Sequence, residues 1–171
     1  MSYQSNILSM TKLLHDELSL LGVTGSSDVY EPPEADTFDF FITNKVLHKK
    51  TEKLFKDGHH ARAVEEAFKL LDNEVKKRSG LGKTDLTGAK LMNTVFSANS
   101  PILKINSGVT TSEKDEQTGY MQIFAGCMTG IRNPRAHETD WEDTEQRALQ
   151  LLVLANHLVE RVLLAEKVIE K

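Results

Sequence analysis

The sequence predicts an all-α helical bundle, and three observations carry that expectation. Val64, Ala67, Phe68, Leu71 and Val75 recur at i, i+3, i+4, i+7 and i+11, which lines one face of a helix. Toward the C-terminus, Ala148, Leu149, Leu151, Leu152, Val153, Leu154, Leu158, Val159, Val162, Leu163 and Leu164 cover more than one face, so that helix must pack on two sides. Only Ile102-Leu103-Lys104-Ile105 reads as a strand, and no partner for it is evident. A sheet is therefore not expected.

Taken in order, residues 5–21 form a first amphipathic helix with Ile7, Leu8, Leu14, Leu18 and Leu21 near helical spacing and Gly22 as its stop. Residues 23–37, with Gly25-Ser26-Ser27 and Glu31-Pro32-Pro33-Glu34, read as a linker. This places an N-terminal helical arm at 1–37 and the main helical domain at 38–171. Residues 38–56 read as one helix stopped by Asp57-Gly58, residues 60–79 as the strongest helix of the chain, closed by Gly80, and residues 87–96 as a shorter one. Residues 97–119 read as loop, with a polar, mobile tract at 110–118 that either covers a site or simply connects. Helix returns at 120–132, where Tyr120, Phe124, Cys127 and Ile131 share a stripe, and Thr139-Asp140-Trp141-Glu142 has capping-box spacing ahead of a helix running to about residue 168.

Composition narrows the function. At 171 residues the chain is long enough for one domain with a substantial core, and its single cysteine, Cys127, excludes an internal disulfide framework. No signal peptide or membrane span is legible, so a cytoplasmic protein without a membrane partner is expected. A net charge of −4 argues against a uniformly basic nucleic-acid coat. The charge is unevenly spread: residues 1–44 hold one basic against seven acidic residues, a net of −6, whereas residues 45–90 hold twelve against seven, a net of +5. That asymmetry allows a local phosphate-attracting surface, or merely a solvated helix face. His48, His59 and His60 read as surface or interface residues. No His, Cys and acidic residues share metal-site spacing, and no phosphate loop or nucleophile elbow occurs, so neither metal nor cofactor is expected.

The stretch Gly130-Ile131-Arg132-Asn133-Pro134-Arg135-Ala136-His137 carries the chemistry. On an unbroken helix Arg132 and His137 would lie about 140° apart. Pro134 disfavours helix at Asn133, and Asn followed by Pro suits the N-cap and first position of a new turn, which lets the chain fold the two side chains toward one point. Histidine can act as base or acid near neutrality, and the arginine fork matches phosphate oxygens. Asn133 would orient the histidine or donate to substrate, and Arg135 would hold a flanking phosphate. The same residues also have a purely structural reading: Arg132 capping a helix C-terminus, Asn133 and Pro134 making a turn, and His137 satisfied in a tight loop.

This motif, with Ala63-Val64-Glu65-Glu66-Ala67-Phe68-Lys69, Ser79-Gly80-Leu81, and Gly88 with Leu91-Met92, resembles the Ymh-type family of bacterial and phage proteins, itself similar to the HEPN superfamily. The resemblance covers residues 60–165. It implies a HEPN-like bundle that dimerises, brings two Arg/His pairs to one cleft and in many members cleaves RNA without metal. Carried over by position, Arg132 and His137 would be catalytic, with Asn133 the polar residue beside the arginine. A toxin or phage-defence ribonuclease acting on RNA, held by an antitoxin or regulatory protein, is thereby implied; a non-catalytic dimer that binds RNA, a nucleotide or a protein through the same cleft is the alternative. Toxin members with a tyrosine two residues after the histidine are silenced there, and this chain has Thr139 instead. DNA lacks the 2′-hydroxyl that such chemistry needs.

Overall fold

The computed structural model describes residues 37–168, and the expected helix at 5–21 and all but the last residue of the linker at 23–37 lie outside them. The described residues form an all-α fold with one minimal two-stranded ribbon. Residues expected as a single helix from 38 to 56 form two, α1 (Thr37–Phe41) and α2 (Lys45–Lys56). The break comes from Asn44, whose side-chain oxygen accepts from the Val46 and Leu47 amides at 3.1 and 3.0 Å, the requirement of an N-cap. Asn44 is also anchored from across the fold. Its backbone N–H donates to Asn156 Oδ1 at 2.9 Å and its amide nitrogen to Glu160 Oε1 at 2.7 Å.

Helix α3 (His60–Ser79) has the predicted bounds, and Gly80 ends it at φ 83°, a conformation in which a side chain would be strained. Helix α4 (Gly88–Val95) has no cap of its own; buried Asp72 on α3 supplies one, accepting from the Gly88 amide at 2.6 Å and the Thr87 hydroxyl at 3.1 Å. Strand β1 (Leu103–Lys104) pairs antiparallel with β2 (Glu166–Lys167), Leu103 opposite Lys167. The partner strand that sequence did not reveal is thus the tail of the chain, where helix had been expected to continue to 168.

The expected loop at 97–119 is helical from its middle onward: α5 spans Thr111–Cys127. Thr110 Oγ1 accepts from the Glu113 amide at 3.2 Å, and Glu113 Oε2 accepts from the Thr110 amide at 2.8 Å, a reciprocal capping box that overrides the tract's polar composition. Buried Gln117 then holds the preceding loop against α5, accepting from Ile105 N at 2.8 Å and donating to the Phe96 and Leu103 carbonyls at 3.0 and 3.2 Å. After α5 come a π-helical turn (Met128–Arg132) and a short helix, α6 (Asn133–His137). The final helix, α7 (Glu145–Leu164), is capped by the Thr144 hydroxyl, which accepts from Arg147 N at 3.3 Å. The expected capping box at Thr139 to Glu142 does not form; those residues are loop.

Helix α3 is the centre of the bundle, packed on α7, α2 and α4, while α4 packs on α5. Phe68, Leu71, Val75, Leu152, Leu158 and Val162 have no measurable exposure, and Phe96 stacks on Phe124 with centroids 4.4 Å apart. Each large side chain buried in this way contributes about 1.5–3 kcal/mol relative to exposure. The result is a firm wall behind the 132–137 segment. Among the described residues no helix is long and apolar enough to cross a membrane.

Candidate functional site

The backbone at the motif departs from the sequence expectation. Arg132 (φ −71°, ψ −47°) and Asn133 (φ −63°, ψ −43°) are both right-handed helical, so Asn133 is not an N-cap and no break occurs at Pro134. The physical reason is the π-helical turn. A proline in a helix lacks one donor and clashes with the carbonyl four residues back; the wider turn moves that carbonyl, and the Asn133 N–H reaches back to the Met128 carbonyl. The helical path ends only at Glu138, which is extended. Arg132 and His137 consequently remain about 140° apart around the local axis, and within one chain the segment does not fold them to one point.

The motif residues differ in what they touch. Arg132 is half-buried and donates to Asn133 Oδ1 at 3.2 Å. Of the six arginines it alone has neither a carboxylate nor a main-chain carbonyl partner: Arg62, Arg135, Arg147 and Arg161 are ion-paired, and Arg78 donates to the Ala165 carbonyl. His137 is exposed and makes no hydrogen bond or ion pair among the described residues. Asn133, which accepts from Arg132, fixes the arginine rather than the histidine.

Arg135 lies elsewhere than the sequence suggested. Its guanidinium is 1% exposed and forms a two-pronged pair with Asp143, itself 0% exposed, Nε to Oδ2 at 2.6 Å and an Nη to Oδ1 at 2.7 Å. A third donor goes to the Ile131 carbonyl at 2.7 Å. With its donors so engaged, Arg135 is a rivet between the π turn and the 138–144 loop and does not face a flanking phosphate. Trp141 packs under the same rivet, with the Arg135 and Arg147 guanidinium carbons 5.5 and 5.9 Å from its ring centre.

That loop forms one wall of a groove whose other wall is the start of α3. The larger part, about 510 Å³, is lined by His59, His60, Arg62, Trp141 and neighbours; the second, about 290 Å³, by Arg62, Glu65, His137 and Trp141 among others. Ala61, Arg62, Thr139 and Trp141 line both, so the groove runs from His59 to His137. Arg132 lines neither part. Arg62 pairs with Glu65 and Glu66 at 2.6 and 2.9 Å yet stays 55% exposed. Burial disfavours the Glu65 charge, but a hydrogen bond from Lys69 and the charges of Arg62 and Lys69 outweigh it and hold the carboxyl below its ordinary range. The sequence reads His59 as a surface or interface residue and Trp141 as part of a capping box, and does not single out Arg62; the signal available for the groove was the His59-His60-x-Arg62 spacing at a helix start.

Much of the basic excess at 45–90 is internally paired, as with Lys56 and Glu52, Lys69 and Glu65, and Lys76 and Asp72. One group among the described residues has ligand atoms spaced as a metal would need, Asp39, His48 and Glu52, all within 4.8 Å of one another. No single-helix spacing reveals it, because Asp39 is on α1. The Lys56 ammonium stands 2.9 Å from Glu52 and 3.6 Å from Asp39, so the cluster already has its cation. Burial pushes the Cys127 thiol up to about 11, which suits core packing and not nucleophilic chemistry.

A family model described as a protein of unknown function, Hypoth_Ymh, matches residues 43–162. The chain belongs to the Hypoth_Ymh family. The match spans α2 to the last turn of α7 and so contains the whole groove and the motif. No curated protein and no solved structure matches the chain.

Proposed function

We propose that this Hypoth_Ymh protein is a metal-independent endoribonuclease of the HEPN kind, a toxin or phage-defence effector, with Arg132 and His137 as its reactive pair and Asn133 as the residue that positions Arg132. The observation that carries the reading is the selective freedom of those two side chains. Every other arginine is committed to a carboxylate or a carbonyl, whereas Arg132 is offered through a neutral amide and His137 is offered with no partner. A π-helical turn at this point of the chain is the kind of helix irregularity that functional sites favour. His137 would remove the 2′-hydroxyl proton, and Arg132 would stabilise charge on the phosphorane.

The angle of about 140° between the pair supports a composite cleft in which a second copy of the chain supplies the other half. Leu163 and Leu164 on the outer side of α7 are 37% and 71% exposed, and Leu151, Val153 and Leu154 are only partly covered, which supports a two-fold dimer through this helix. The same angle also supports a second reading, a non-catalytic dimer that binds RNA, a nucleotide or a protein partner. Thr139 in place of a tyrosine leaves the means of restraint to an antitoxin or regulatory protein of another type.

Incubation with total cellular RNA in EDTA separates the two. The nuclease reading expects cleavage that leaves a 2′,3′-cyclic phosphate or 3′-phosphate, is reduced about 10²–10⁴-fold in His137→Ala and is similarly lost in Arg132→Ala. Both variants should keep their stability within about 0.5 kcal/mol of the parent, because neither side chain is buried. Intact RNA with the parent protein, or cleavage only with added metal, returns the motif to a binding role.

A further inference from the structure

The groove holds a second imidazole that the motif does not include. Among the described histidines, His48 bonds Asp39, His157 bonds the Tyr120 hydroxyl and His60 packs on the Phe55 ring. His59 and His137 have no hydrogen bond and no ring contact, and they line the two adjoining parts of the groove, with Arg62 lining both parts. His59 is the residue before the first turn of α3. Its backbone is fixed, since its carbonyl accepts from the Ala63 amide at 2.9 Å, while its side chain does not cap the helix. A pinned backbone with a free imidazole is a poor use of a histidine for stability.

Resting on the ribonuclease reading, we propose that His59 is the proton donor to the leaving group in the same chain as His137, and that Arg62 holds the phosphate of the adjoining nucleotide. His137, neutral, accepts the 2′-hydroxyl proton as the 2′-oxygen bonds to phosphorus. The bond from phosphorus to the 5′-oxygen breaks, and that oxygen takes the proton from the His59 imidazolium. The products are a 2′,3′-cyclic phosphate and a 5′-hydroxyl end, with no oxidant or metal required. Arg62 can serve because only two of its donors are used and half of its side chain remains exposed.

The surrounding charges decide the pH at which this works. Asp57, on the turn before His59, is hydrogen-bonded by Lys53 and feels the His59 charge more weakly. Asp143 is neutralised by Arg135 and Arg147, and Glu65 and Glu66 by Arg62 and Lys69. Glu138, Asp140 and Glu142 on the opposite loop carry no ion pair among the described residues. With both imidazoles neutral these groups leave the groove with more carboxylates than cations, so the imidazolium that donates the proton also supplies the positive charge a phosphate needs, while the base must be neutral.

Two measurements on the full-length protein test this. In the first, uridine 3′-monophosphate is titrated while the histidine C2 protons are followed by NMR. Joint movement of His59 and His137 with one Kd, weakened several-fold in His59→Ala and in Arg62→Ala, supports the groove; movement of His137 alone, or of neither, overturns it. In the second, cleavage is measured against pH. His59→Ala should lose the alkaline limb of the profile and about 10²-fold or more in rate, with an unchanged thermal midpoint. If Arg132→Ala and His137→Ala abolish cleavage while His59→Ala keeps the parental rate and profile, the ribonuclease reading stands and the His59 assignment falls. No cleavage by the parent protein removes both the reaction and the proton-donor role, whatever the nucleotide titration gives.

Discussion

Asp143→Ala should cost far more stability than any change to the exposed motif side chains. The substitution leaves the Arg135 guanidinium, 1% exposed, without the carboxylate that meets it at 2.6 and 2.7 Å. The remaining donor bond to the Ile131 carbonyl at 2.7 Å cannot compensate a full positive charge. Breaking one side of such a buried pair costs about 3–5 kcal/mol. The lost contact with Arg147, a side chain 57% exposed, adds at most about 1 kcal/mol. At roughly 2–4 °C per kcal/mol for a chain of this size, the thermal midpoint should fall by about 6–24 °C. Replacing both partners, Arg135→Met with Asp143→Leu, should recover most of that loss, since two apolar side chains bury no charge. Urea unfolding monitored by circular dichroism gives both values. An Asp143→Ala loss below about 1 kcal/mol, or a double variant no better than the sum of the singles, would refute the assignment of Arg135 as the rivet.

Two further outcomes follow from polar groups that hold local structure. Gln117→Leu strands the Ile105 amide and the Phe96 and Leu103 carbonyls, so it should lower stability by about 2–4 kcal/mol despite its greater apolarity; urea unfolding within about 0.5 kcal/mol of the parent would contradict this. The Thr110 amide, helped by the Ser107 hydroxyl, holds the Glu113 carboxyl down at about 2 from an ordinary 4.5, so the stability it lends is present above about pH 4.5 and is lost as pH falls through 2. The Glu113 carboxyl resonance should titrate with a midpoint near 2, and a midpoint near 4.5 would mean that the capping box is not populated in solution.

What the sequence made legible was the part of the fold governed by local periodicity and punctuation. Residues 60–79 gave a helix with the observed bounds because the apolar stripe and Gly80 act within a few residues of one another. The division between α1 and α2 was hidden because Asn44 reads as an ordinary polar residue until Asn156, far along the chain, fixes its backbone. Strand β1 lacked a visible partner because Glu166 and Lys167 carry no strand pattern; pairing alone makes them β. Residues 110–118 differ for another reason: their polar composition resembles loop, but the Thr110-x-x-Glu113 spacing of a capping box starts a helix there.

The motif shows the limit most sharply, because its two arginines are three residues apart and chemically identical. Arg135 is committed and Arg132 is free because Asp143 sits on a loop that returns to the former and not to the latter. That return is a tertiary fact, and no local spacing encodes it. The same geometry changes what a loss of activity means. An alanine at Arg135 releases Asp143, loosens the loop carrying Trp141 and opens the groove wall beside His137, so it would silence the protein through its structure. An alanine at Arg132 removes a guanidinium whose only protein partner is a neighbouring amide, so silence there would report on chemistry. Activity and unfolding must therefore be measured on the same variants before any residue of the Arg132 to His137 segment is assigned a catalytic role.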